Sequence, residues 1–243
     1  MCNMDRLENS IWKNHKEEGI MGLVESYGKL FKREYNMRPV WPPTTPIVPG
    51  DYGYVEDGVF QKMGNITEDF GIPCPLEKRK ANFEIHSKSS ATKVTTFDAA
   101  GKAKDLTKNM SGQGEIRIEF KKENSFYTQA SNLKSVSLKS INKVSHQLKE
   151  KTAAREWNHI KWMIVSDCYE APSAVLLGSS QKETTVSIKG DVKALVKVMN
   201  GEVSAGVSYG SNSNADLKVL GQAGPVLLNL FRVKFTGTAV LNC

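Results

Sequence analysis

Residues 185–198 read Thr-Val-Ser-Ile-Lys-Gly-Asp-Val-Lys-Ala-Leu-Val-Lys-Val, and apolar and polar side chains alternate along almost the whole stretch. A period of two is typical of a β-strand with one buried and one wet face. The apolar side consists of Val186, Ile188, Gly190, Val192, Ala194, Val196 and Val198, with Leu195 as the exception on the polar side. After Asn200-Gly201 the alternation resumes with Val203, Ala205 and Val207. The pattern predicts a long two-faced hairpin within residues 184–220.

The length of this hairpin suits two environments. A strand that crosses the hydrocarbon layer of a bilayer needs about nine to eleven alternating residues, which residues 185–198 exceed. In lipid the apolar side would face outward and Lys189, Lys193 and Lys197 would face a wet lumen. Since every backbone group in lipid must be paired, such strands work only in a closed ring of many copies.

Two other interpretations of this stretch stay open. The first is the half-buried hairpin of any antiparallel sandwich. The second is a helix over residues 191–200, because Val192, Leu195, Val196 and Met199 also satisfy helical spacing. In that case the stretch would be a helix in the soluble form and would become a strand only when the protein converts to its membrane form.

A helix is predicted over residues 20–31, where apolar residues recur at intervals of three and four. Its carboxyl end carries Lys29, Lys32 and Arg33, with Arg38 just beyond. These four cations are the candidate lipid-binding residues. An ordinary core-packed helix with a basic end is an equally good interpretation.

A second candidate membrane hairpin spans residues 82–127. It comprises strands over 83–89 and 115–121, and in the latter Ile116, Ile118 and Phe120 alternate with charged residues. The interval 99–114 is expected to be a functional or mobile loop. The remaining expected elements are an extended connector over 38–51, strands over 52–55, 59–63, 157–169, 173–179 and 226–235, and a helix over 133–148. This order predicts an α+β fold with a twisted, mostly antiparallel β-sheet and flanking helices.

Composition places the chain among globular proteins. With 243 residues and 40% apolar content it can form one large domain, expected here over residues 1–243. No apolar run is long enough for a spanning helix, and the amino terminus lacks the apolar core of a secretion signal, so a cytoplasmic protein is expected. The net charge of +7 favours an anionic partner, either acidic lipid or nucleic acid.

No motif predicts an enzyme, a metal site or a cofactor. The four cysteines Cys2, Cys74, Cys168 and Cys243 are widely spaced and are expected to be reduced thiols. Cys2 could carry an acyl chain, although a free thiol is the favoured interpretation because no basic or glycine context surrounds it. Nucleotide-binding glycine loops and a zinc-binding His-Glu-x-x-His motif are absent from the sequence. The pattern Gly-x-Ser-x-Gly of a nucleophile elbow occurs at residues 206–210, but these residues lie in the predicted hairpin and not at a strand-to-helix turn.

Several segments together resemble the amino-terminal, pore-forming domain of gasdermins over nearly the whole chain. They are residues 21–34, Pro49-Gly-Asp-Tyr-Gly-Tyr-Val55 and residues 162–178. The resemblance implies that residues 1–38 contain a basic amphipathic helix and that 82–127 and 184–220 are membrane hairpins. It further implies binding to acidic phospholipids, assembly into an oligomer and lysis of the cell.

Two departures from vertebrate gasdermins affect the expectation. The proline-rich residues 40–49 stand where those members carry a basic, aromatic finger. The vertebrate members also carry a large carboxyl-terminal repressor domain, for which residues 1–243 are expected to leave no room. Gasdermin relatives without a large repressor domain resemble either bacterial forms or fungal regulator-of-cell-death proteins. For this chain the fungal kind is favoured. In those proteins, meeting a differing allelic variant triggers the pore, so the expected partner is the same chain or a related variant.

The leading prediction is therefore a cytoplasmic protein that relocates to the plasma membrane, docks on acidic inner-leaflet lipids and assembles into a pore. The main alternative is a basic nucleic-acid-binding module, in which aromatic residues should interleave with Lys and Arg on a sheet. The aromatic residues Phe60, Phe83, Phe120, Phe126 and Tyr127 are dispersed, so nucleic acid is not the expected partner. An enzyme with an unrecognised site is the third possibility.

Overall fold

The computed structural model describes residues 21–42, 44–107, 111–154, 156–203, 207–212, 217–234, 236 and 238–241. The described residues form two compact units. The first comprises those within 21–27, 85–129 and 175–221, and the second those within 28–84, 130–174 and 222–241.

The elements follow one another as α1 (residues 21–35), β1 (Arg38–Pro39), β2 (Asp51–Glu56), β3 (Val59–Asn65), α2 (Ile66–Phe70), β4 (Leu76–Lys80), β5 (Ile85–Lys88), β6 (Thr92–Asp98), β7 (Gln113–Phe120), β8 (Ser125–Ala130), β9 (Lys134–Leu138), α3 (Ile141–Ala153), β10 (Met163–Ser179), β11 (Thr184–Asp191), α4 (Val192–Met199), β12 (Val207–Ser211), β13 (Leu217–Val233) and β14 (Ala239–Leu241). None of the described helices combines the length and apolar character required to span a membrane.

The first unit contains a four-stranded antiparallel sheet in the order β12-β11-β7-β6. Its strands form because apolar residues alternate with polar ones, which puts one set in the core. The core beneath the sheet also includes Leu106, Tyr127, Val175, Leu177 and residues of α4. We call these four strands the amphipathic sheet.

The second unit is built on an antiparallel sheet in which β1, β13, β10, β2 and β3 are successive neighbours. Strand β14 pairs with β13, and β4 pairs with β9, which pairs with β10. Helix α3 packs into the core of this unit through Val144 and Leu148. The predicted α+β class with a mostly antiparallel sheet and flanking helices is confirmed.

Short-range predictions with a strong local signal are confirmed. Helix α1 buries Leu23, Val24, Tyr27, Leu30 and Phe31, as its spacing predicts. Strands β2 and β3 meet at a turn in which Asp57 and Gly58 have positive φ angles of 50° and 81°. An Asp-Gly pair favours this turn because both residues tolerate positive φ.

Two element predictions are wrong, and one strand was missed. The expected helix over 133–148 is instead strand β9 followed by α3, because Val136 and Leu138 alternate with serines that weaken a helix. The two expected strands over 157–169 and 173–179 are one continuous strand, β10, which includes the exposed Pro172. Strand β6 within the candidate hairpin was not expected, since its sequence Thr-Lys-Val-Thr-Thr-Phe-Asp has little apolar alternation.

The last predicted strand, 226–235, is also corrected: β13 begins earlier, at Leu217, and ends at Val233. The stretch 185–198 is divided between two elements. It is a strand only as far as Asp191, and the helical alternative holds from Val192 to Met199. Asn200-Gly201 therefore ends α4 and does not form the tight turn of a hairpin.

Candidate functional site

The inner face of the amphipathic sheet is apolar on its two central strands, β7 and β11, whereas the two outer strands also place Thr96 and Ser211 on it. Val94, Ile118 and Val186 are cross-strand neighbours, and the next row contains Thr96, Ile116, Ile188 and Tyr209. The predicted membrane-hairpin residues Ile116, Ile118, Phe120, Val186 and Ile188 are at most 1% exposed. The structure therefore brings residues of both candidate hairpins onto one buried face of one sheet.

The outer face of the same sheet is polar. Lys93 lies opposite Glu119, and Glu115 lies opposite Lys189. The Glu115 carboxylate accepts hydrogen bonds from Arg117 Nε at 3.2 Å and Ser187 Oγ at 3.0 Å, and the Arg117 guanidinium lies 4.6 Å from the centre of the Phe97 ring. These contacts are partly exposed, so they hold side-chain positions more than they stabilise the fold.

Helix α4 begins where β11 ends. Asp191 caps it, because its Oδ1 accepts a hydrogen bond from the Lys193 backbone N–H at 2.9 Å. The backbone N–H of Val192 donates to Gly112 O at 2.9 Å, one residue beyond the pairing of Asp191 with Gln113. The ladder between β7 and β11 thus already extends to the first residue of the helix.

A glycine of β7 makes room for α4 beneath the sheet. Gly114 pairs with Gly190, and a Cβ atom on Gly114 would lie 3.2 Å from Leu195 Cδ1 and 3.3 Å from Val192 Cγ2. Both of those contacts are tighter than ordinary van der Waals packing. The absent side chain therefore allows the helix to lie close against the strand.

Residues 192–199 satisfy two periodicities with the same side chains. As a helix they bury Val192, Leu195, Val196 and Val198, while Lys193 and Lys197 are exposed. As a continuation of β11, the even-numbered residues would stay on the apolar face and the two lysines would join the polar face. Ala194, placed on the apolar side in the sequence, is half-buried in the helix.

The predicted residues after α4 are less buried. Val203 and Val207 are half-buried and pack at the margin of the first unit's core. Val207, in β12, lies opposite Gly190 of β11. Ala205 lies outside the described residues, as does Cys2.

The four predicted lipid-binding cations differ in their surroundings. Lys29 and Arg33 on α1 are exposed, and Lys32 is half-buried. Arg38 is half-buried, and its Nη1 donates to the Gly58 carbonyl at 3.5 Å. Burial lowers the pKa of Arg38, although an arginine so placed stays charged at neutral pH. Arg38 is therefore attached to the β2–β3 turn, whereas Lys29 and Arg33 extend from the helix surface.

Other candidate chemistry finds little support in the described residues. No group of three or more His, Cys, Asp and Glu side chains there could hold a metal ion. Cys168 is fully buried, and burial raises the pKa of its thiol. Burial also raises the pKa of Cys74. Of the dispersed aromatic residues, Phe60, Phe120, Phe126 and Tyr127 are buried, so they offer no platform on which bases could stack.

Sequence alone does not indicate what covers the outer edge of β6. Residues 102–104 turn back beside this strand, and Ala103 forms a bridge with Phe97. A cleft of about 520 Å³ adjoins them, lined by Val94, Thr95, Thr96, Ala103, Lys104, Asp105 and Met199. The only sequence signal was the glycine-containing interval 99–114.

The solved structures that this chain resembles include two gasdermins. The structure of a bacterial gasdermin from Bradyrhizobium tropiciagri has 12% sequence identity and a TM-score of 0.36, with 88% of this chain and 90% of that chain covered. The cryo-EM structure of the gasdermin A3 membrane pore has 11% identity and a TM-score of 0.35, with 90% and 93% covered. No protein-family model matches the chain, and no curated protein sequence matches it.

Proposed function

We propose that this chain is a pore-forming protein of the gasdermin kind, which docks on acidic membranes and assembles into a ring that inserts the amphipathic sheet. The observation that supports this proposal is the four-stranded sheet itself. Residues from both candidate hairpins share one apolar and one polar face, and the alternation of β11 continues through α4.

The available length supports insertion of β11. Strand β11 has eight residues, which is short for a crossing that needs about nine to eleven. Straightening α4 would add eight more residues in the same alternation. The even-numbered additions, Val192, Ala194, Val196 and Val198, present no charge to lipid. Conversion of α4 to strand would therefore make β11 long enough to cross the hydrocarbon layer.

The strand directions allow copies to join in a ring. Each strand of the amphipathic sheet is antiparallel to its neighbour, so β12 at one edge and β6 at the other run in opposite directions. If β12 of one copy lies beside β6 of the next, that pair is antiparallel too. Repetition of this contact leaves every polar face on one side, and closing the ring pairs every edge.

Docking would depend on the basic residues. Lys29, Lys32 and Arg33 of α1 are the candidates, and each cation close to an acidic surface contributes about 1 kcal/mol. In this proposal the chain resides in the cytoplasm, moves to the inner leaflet of the plasma membrane, and forms homo-oligomers or hetero-oligomers with a differing variant. Cys2 would add anchorage if it were acylated.

Dye release from liposomes tests the proposed function. We expect the chain, alone or mixed with an allelic variant, to release dye from liposomes containing acidic phospholipid and to leave purely zwitterionic liposomes intact. Release should weaken as salt is raised, because salt screens the docking charges. Absence of release under every lipid and variant combination would refute the proposal, and a strong affinity for RNA or DNA in a mobility-shift assay would favour the alternative.

A further inference from the structure

The outer edge of β6 is not open. One side of the strand pairs with β7, and the other side hydrogen-bonds to residues 102–104. The Lys104 N–H donates to Thr96 O at 2.9 Å, and the Asp98 N–H donates to Lys102 O at 3.0 Å. The Thr96 hydroxyl adds a bond of 2.5 Å to Lys104 O. We call residues 102–104 the guard segment.

A tight turn holds the guard segment in place. Asp98 Oδ1 accepts from the backbone N–H groups of Ala100 and Lys102, each at 3.0 Å, and Gly101 has the positive φ of 72° that the turn requires. Just after the segment, Leu106 is 7% exposed and packs into the core. The guard segment is thus fastened at both ends.

Between these ends the guard segment is weakly packed. Lys102, Ala103 and Lys104 are exposed, and Ala103 and Lys104 border the cleft described above. A short segment with few apolar contacts is the kind of structure that opens locally at low free-energy cost. It can therefore leave the edge of β6 without unfolding the sheet.

We infer that the outer edge of β6 is the docking surface for strand β12 of a second copy, and that the guard segment occupies this edge in the single copy. The inference rests on the proposed function, because it concerns the contact that extends the ring. The guard segment runs antiparallel to β6, as the incoming β12 would. The guard segment and the incoming β12 would both need to bond to Thr96 O and the Asp98 N–H, so only one of them can occupy the edge at a time. Self-covering of this kind is how proteins prevent premature edge pairing.

A disulfide that fixes the guard segment is the sharpest test. Phe97 and Ala103 form a pair flanked by the two backbone bonds, a geometry in which Cα atoms lie about 4.5 Å apart, within disulfide range. We expect oxidised F97C/A103C to bind acidic liposomes like the wild type and to release no dye. Reduction should restore release. The single variants F97C and A103C, under the same oxidant, should release dye normally.

A weakened guard segment should act in the opposite direction. Thr96→Val removes the hydroxyl bond to Lys104 O and keeps a β-branched side chain, so docking should become about fivefold more favourable. Thr45→Val is the matched control, since it removes a similar bond of 2.6 Å to Pro42 O in the other unit. Unchanged release in Thr45→Val with faster release in Thr96→Val is the expected result.

A peptide copy of residues 203–212 separates this inference from the proposed function, because its binding is measured without membranes. We expect fluorescence anisotropy to show tighter binding to Thr96→Val than to the wild type, and none to the oxidised double variant. This outcome supports the docking edge even if liposomes stay intact. Equal peptide binding by oxidised and reduced F97C/A103C, or dye release by the oxidised form at the wild-type rate, would overturn the inference.

Discussion

At the scale of single residues, Asp51 shows how an unexplained sequence feature acquires a physical role. The Gly50-Asp51 pair belongs to the resemblance, but its purpose is not evident from sequence. In the structure the Asp51 carboxylate is fully buried and accepts from Val48 N, Asn65 Nδ2 and Lys62 Nζ, each at 2.9 Å. It therefore joins the proline-rich connector to β3 and to the cap of α2.

Replacing this carboxylate should destabilise the second unit. Asp51→Asn keeps the shape of the side chain but removes the negative charge that faces Lys62. It also places an amide N–H₂ group, itself a donor, beside the hydrogen-bond donors Val48 N–H and Lys62 Nζ. We expect the free energy of unfolding in urea to fall by about 2–3 kcal/mol. Asp57→Asn is the control, because Asp57 is exposed at a positive φ that Asn adopts well, and its effect should stay within about 0.5 kcal/mol. Equal effects of the two changes would contradict this role.

Leu195 is the residue that distinguishes the two conformations of its segment. In the strand interpretation it is the one apolar side chain on the polar side, an exception with no explanation. In the helix it is fully buried, and its Cδ1 would lie only 3.2 Å from a Cβ atom placed on Gly114. A single out-of-phase leucine thus favours the helix in water, while its neighbours remain compatible with a strand.

At the scale of elements, sequence predicted well wherever a local signal determines structure. The β2–β3 hairpin, helix α1 and the alternation of β7 and β11 follow from turn residues and periodicity within each segment. Strand β6 could not be predicted, since its pairing with β7 depends on a partner rather than on its own weak pattern. The continuity of β10 through Pro172 likewise depends on its neighbours in the sheet.

A charge on the apolar side of α4 tests the conversion of this element. Ala194 is half-buried in the helix, so Ala194→Lys should be tolerated in water. In the inserted strand the same lysine would face lipid, at a cost of about 2–4 kcal/mol for each copy near mid-bilayer. We expect dye release to fall at least about thirtyfold while liposome binding is kept.

The control for that experiment adds the same charge to the opposite face. Thr185→Lys places a lysine on the polar side of β11, next to Glu119, where it should leave dye release unchanged. Added positive charge can only help docking, so a loss confined to Ala194→Lys must arise after docking. Equal losses in both variants would argue against a strand that exposes even-numbered residues to lipid.

At the scale of the whole molecule, the sequence predicted two distant membrane hairpins, and the structure places strands of both in one sheet. Residues 113–120 and 184–191 are direct neighbours in one sheet. Their alternation was visible in the sequence, but their mutual register and the guard segment depend on contacts between residues distant along the chain. Pore formation in this account requires one helix to straighten, one edge to open and the copies to join.

In the proposed pore, residues 192–199 change from a helix to a lipid-facing strand, and a labelling scan measures this directly. Single cysteines at each of these positions, in a chain lacking the four native cysteines, carry an environment-sensitive dye on liposome-bound protein. We predict a period of two, with even-numbered positions in lipid and odd-numbered positions in water. Retention of the three-to-four residue spacing of α4 would contradict this conversion.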